Sequence, residues 1–91
     1  MDRYLIISTH EDGQCQKVMD YFREYHAGFL THFEFGCNDG DHHAYAFIDA
    51  DSREAAMLSV PPYLRNKTKA IKVNTLDPQS KNLVHTKQSN A

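Results

Sequence analysis

The sequence has little that would commit it to a nucleic acid, a membrane or a disulfide framework. Acidic residues outnumber basic ones, 12 to 10, and the net charge is −2 with histidine neutral. No basic field is therefore available to meet a phosphate backbone. No apolar run approaches the ~20 residues that a membrane span needs. No secretory leader precedes the first strand-like run, so the cytoplasm is the expected location. The only cysteines, Cys15 and Cys37, are too few for a disulfide scaffold; in a reducing compartment they are thiols, used for packing or for ligation. Internal repeats and low-complexity segments are missing too. Hydrophobic residues make up 41% of 91 residues, which suffices for one small domain but lies below the usual ~45–50%. A domain this small with one well-packed sheet face often hides the other face in a dimer. Against these shortages stands one excess, six histidines.

What is present reads as alternating strands and helices. Arg3 to Thr9 is a strand, apolar at both parities through Tyr4, Leu5, Ile6 and Ile7, as a central strand covered on both faces would be. Thr9 with Asp12 resembles a capping box, and Glu11 and Asp12 suit a helix N-terminus. Cys15, Val18, Met19, Phe22, Tyr25 and His26 then form a helical stripe, which Ala27-Gly28 ends. Phe29 to Phe35 and His43 to Asp49 alternate as two arms of a hairpin. The stretch between them, from Gly36 through Cys37-Asn38-Asp39-Gly40-Asp41-His42, is rich in turn formers. Pairing Phe35 with His42 sets Glu34 opposite His43 and His32 opposite Tyr45. A second capping signature, Asp51-Ser52-Arg53-Glu54, opens a helix through Leu58, and Pro61-Pro62 ends it. A further turn is expected over Tyr63 to Asn66. Ala70 to Asn74 is the last strand, with Ile71 and Val73 expected to face the core. Asp77-Pro78 opens a short C-terminal helix carrying Leu83 and Val84, so the chain divides into a domain over 1–76 and a tail over 77–91.

The order β-α-β-β-α-β predicts an α+β domain of the ferredoxin-like kind: a four-stranded antiparallel sheet in the order 4-1-3-2, with two helices on one face. That topology brings the end of the first strand, the start of the first helix and the hairpin to one edge. His10, Cys15, Cys37, His42 and His43 are thus expected to gather there. The chain resembles the dimeric α/β-barrel group of ferredoxin-like domains, which includes muconolactone isomerases and small cofactor-independent monooxygenases. The resemblance covers roughly residues 3–75 and rests on element order, on length and on a two-faced sheet. Thr9-His10 with Cys15, Gly36-Cys37 with Gly40-Asp41-His42, and Pro61-Pro62 with Leu64-Arg65 look like segments of small prokaryotic proteins in that group. The resemblance implies a homodimer whose sheets face each other across a barrel. It transfers no catalytic residue, because its members use different ones.

Three functional readings follow. In the first, His10, Cys15, Cys37 and His42 hold zinc or another transition metal, since thiolate and imidazole suit zinc, nickel and copper. Their spacing is no zinc-finger or zinc-ribbon signature, and Cys15 also fits the apolar stripe of the helix as a small hydrophobe. In the second, His32, Glu34, His43 and Tyr45 form a polar patch on a dimer-facing sheet, bordered by Leu30 and Phe47. A Glu34–His43 pair would there serve proton transfer on a small molecule without a cofactor. The bland version is a half-wet sheet face with an ordinary cross-strand ion pair. In the third, the dimer is a structural or regulatory module that turns nothing over. Arg65, Lys67, Lys69 and Lys72 form a basic run, suited to an anionic ligand or to a solvated face.

Overall fold

The computed structural model describes residues 1–76 and 79. The elements are β1 (Asp2–Thr9), α1 (Cys15–Leu30), β2 (Glu34–Phe35), β3 (His43–Ala50), α2 (Arg53–Met57) and β4 (Thr68–Val73). A 3-10 turn over Cys37–Asp39 joins β2 to β3, and a 3-10 segment over Pro62–Lys67 leads into β4. The four strands form one antiparallel sheet in the order β2-β3-β1-β4, which is the expected order read from the opposite edge. The expected tail helix lies outside the described residues. No described helix is long and apolar enough to cross a membrane.

The core occupies one face of the sheet. Tyr4 and Ile6 of β1 and Ala44, Ala46 and Ala50 of β3 bury together with Val18 and Phe22 of α1, Ala56 of α2, Val60 and Leu64. Phe33 stacks on Phe22 with ring centroids 4.7 Å apart, and Phe35 meets the same ring edge-on at 6.1 Å. Alanines on β3 are what let these rings lie close to the sheet. The second face of β1 is only half covered: Leu5 and Ile7 are partly exposed, against the expectation of a strand buried on both sides.

Several local expectations gave way to packing. α1 does not stop at Ala27-Gly28 but runs on to Leu30, because Phe29 and Leu30 dock against the core. A glycine inside a helix costs only ~1 kcal/mol, which such burial offsets. The helix takes residues expected in a strand, so β2 shrinks to Glu34–Phe35. Its register with β3 also moves by two residues, pairing Glu34 with Tyr45 and Phe35 with Ala44. A shift of two preserves which face each side chain takes. The Thr9–Asp12 box does not form either. Thr9 stays in β1 opposite His43, and α1 begins only after a turn containing Gly13 at φ 87°, with Gln14 at the cap and no side-chain capping bond. Ser52 does cap α2, accepting the Ala55 N–H at 3.0 Å.

β4 takes the opposite parity to the expected one. Ala70 sits opposite Ile6 and packs against the core, while Ile71 lies beside Leu5 on the open face, 42% exposed. β4 is an edge strand whose register is set by its ladder with β1, and Arg53 of α2 donates to the Ala70 carbonyl at 3.0 Å. The small residue therefore faces the helix layer.

A candidate metal centre at the sheet edge

The tip between β2 and β3 is built by backbone bonds around Gly36. Its carbonyl accepts the N–H groups of Asp39 (2.9 Å) and Asp41 (3.0 Å), and its own N–H donates to the His43 carbonyl (3.1 Å). Gly40 closes the 3-10 turn in the left-handed region, φ 80°, where glycine carries no steric cost. This turn puts Cys37 and His42 on its two limbs. The His10 N–H donates to the His42 carbonyl at 3.0 Å, tying the end of β1 to the start of β3. Cys15 opens α1 just beyond.

His10, Cys15, Cys37 and His42 consequently converge, with one ligand atom of each within 4.8 Å of all the others. His10 Nε2 lies 3.1 Å from both sulfurs, and His42 Nδ1 lies 3.7 Å from Cys15 Sγ. Tetrahedral zinc with bonds of ~2.0–2.1 Å to nitrogen and ~2.3 Å to sulfur would set N···S separations near ~3.5 Å. These three distances bracket that value, and the remaining donor pairs fall within 4.8 Å. The donor set fits the chemistry: two imidazoles and two thiols, all protein-derived, as in closed zinc sites. His42 turns its other nitrogen, Nε2, to Asp12 at 3.4 Å, the carboxylate support that metal-bound histidines commonly have.

Electrostatics act on the two kinds of donor in opposite senses. His10 is 6% exposed, and burial, with His42 and His43 nearby, holds its pKa below the usual 6.5. It therefore offers a neutral lone pair at neutral pH. Its Nδ1 is buried without a partner among the described residues. Burial and the neighbouring Cys15 thiol push Cys37 up to about 11. A metal would have to displace the Cys37 proton, which ties binding to pH.

His43 does not join this cluster. As the first residue of β3 it points to the other face, where Asp41 accepts from its Nδ1 and also from the Tyr45 hydroxyl at 2.6 Å. These two bonds, Tyr45 foremost, hold the Asp41 carboxyl below its ordinary range, and the same bond raises Tyr45. The expected Glu34–His43 pair is not formed: Glu34 stands opposite Tyr45, and the partner of His43 is Asp41. His32 and Glu34 line a separate hollow of about 320 Å³ with Leu5 and Phe47, whereas His43 lines a larger one; Tyr45 borders both.

Two residues escaped the sequence reading. The sequence places Asp12 at a helix cap, and only the fold brings it to His42. It places Asp41 in the turn, yet Asp41, His43 and Tyr45 alternate as one face of an extended segment, a signal present in the sequence. Fold and site together define a small α+β domain with a His2Cys2 cluster that could hold a metal such as zinc. No protein-family model, curated protein or solved structure matches the chain.

Proposed function

We propose that this is a transition-metal-binding domain of ferredoxin-like architecture, with zinc the best-fitting ion, held by His10, Cys15, Cys37 and His42. The observation that carries this reading is the convergence of four soft donors from β1, α1 and the β2–β3 turn within 4.8 Å. Four protein ligands leave no open position, so the ion's role is to fasten these segments rather than to activate a water. Elemental analysis of protein purified without a histidine tag tests it. About one equivalent of metal per chain is expected, lost in the Cys37→Ser, His42→Ala double variant. Equal metal content in both proteins would overturn the reading.

The open sheet face supports a homodimer as a second element of function. Phe47 is 61% exposed and Ile71 42%, with Leu5 between them across the strands, a contiguous apolar surface on the side without helices. Light scattering coupled to gel filtration should report twice the chain mass for the wild type. Phe47→Lys should shift it toward the monomer; a monomeric wild type would remove the dimer without touching the metal centre.

A further inference from the structure

On the open face of the sheet, beside but apart from the thiols, lies a cleft of about 600 Å³. Its floor is Ile7 of β1. Strand register sets Tyr45 on one side of Ile7 and Lys69 on the other, and His43 beside Thr9. Two inter-strand steps separate the walls by ~10 Å, the width of a small organic molecule. One wall is aromatic: the His43 and Tyr45 rings lie 5.8 Å apart and inclined by only 31°. The other is cationic. Of the basic run, Arg65 is used on the Val60 carbonyl and the Tyr25 hydroxyl, and Lys72 on Asp2. Lys67 and Lys69 have no ion-pair partner among the described residues, and both line the cleft.

Asp41 does not line the cleft, and each of its carboxylate oxygens accepts a bond, from His43 and from Tyr45. That arrangement also fixes the His43 ring by its Nδ1, leaving Nε2 uncommitted among the described residues. Glu34, opposite Tyr45, lines the neighbouring hollow. We infer that this cleft binds a small organic anion, its flat apolar body against Ile7 and the His43–Tyr45 wall and its oxyanion at Lys67 and Lys69. The inference does not depend on the metal reading, because no ligand of the proposed metal lines the cleft, and Leu5, Phe47 and Ile71 of the surface proposed for the dimer do not line it either.

Benzoate and phenyl phosphate are suitable probes, titrated into the full chain as purified while backbone amide shifts are followed by NMR. Saturable shifts at Thr9, His43 and Lys69 are expected, with dissociation constants in the millimolar range or tighter. The Lys67→Gln, Lys69→Gln double variant should bind about tenfold more weakly or worse, and its metal content should equal that of the wild type. Neutral benzyl alcohol should bind as weakly as the probes bind the variant. Failure to saturate, shifts confined to another surface, undiminished binding by the double variant, or equal binding of benzyl alcohol would each overturn the proposal. A failed metal test would leave these outcomes unaffected, since the lysine variant spares every proposed ligand.

Discussion

Gly36 shows how much of the site depends on a single missing side chain. A Cβ placed there would lie 2.8 Å from the Asp41 carbonyl oxygen and 2.9 Å from the Asp41 Cβ, closer than real contacts allow. Gly36→Ala must push Asp41 away and with it His42 and His43. We expect a loss of about 1–3 kcal/mol in denaturant unfolding, together with weakened metal retention. An unchanged midpoint would mean that the turn can relax. Asp41 itself gives a pH signature. Its carboxyl titrates lower when folded than its unfolded value of 3.8, so its contribution is complete above that value and is lost as pH falls through the folded pKa. Acid titration of Asp41→Asn should show a shallower decline in stability over that window than the wild type. His10 works in the same direction nearer neutrality. Its depressed pKa means the unfolded chain takes up the proton first, so the metal-free protein should lose stability as pH drops below about 6.5.

Helices and strands here owe their bounds to what they pack against. α2 has five residues, too short to persist by propensity, and stands on its Ser52 cap and on buried Ala56. Ser52→Ala should cost about 0.5–2 kcal/mol in thermal or denaturant melts. α1 has no side-chain cap and no acidic residue in its first turn, so its stability comes from burying Val18 and Phe22. Phe22 is fully buried, in contact with the Phe33 and Phe35 rings. Phe22→Ala should cost about 3–5 kcal/mol, a large part of the ~5–15 kcal/mol typical of a domain. A cost under 1 kcal/mol would contradict this account of α1.

For the molecule as a whole, the proposed ion links parts of the chain that a small core holds weakly. An ion that binds only the folded state at a free concentration of 100 times its Kd adds about 2.7 kcal/mol. A chelator should therefore lower the melting temperature of wild-type protein and leave the Cys37→Ser, His42→Ala variant unmoved. Because Cys37 must give up a proton near pH 11 in the metal-free state, metal affinity should rise with pH across the neutral range, and binding should release protons into weak buffer. Competition titrations at two pH values would measure both. An affinity independent of pH would mean that Cys37 is not a ligand.

The sequence by itself determined which segments become β1, β3 and α2, that a capping signature opens α2, and that His10, Cys15, Cys37 and His42 share an edge. Periodicity and capping chemistry act over a few neighbouring residues, and the shared edge follows from the order of elements, which leaves few ways to close the sheet. Only the tertiary structure decided how far α1 runs past Gly28, how little of β2 remains, the two-residue shift in register at Glu34, the inward turn of Ala70 in place of Ile71, and the partner of Asp12. Each of these is settled by burial summed over several elements, or by a contact between distant parts of the chain. Such terms exceed the fraction of a kcal/mol by which local preference separates the alternatives.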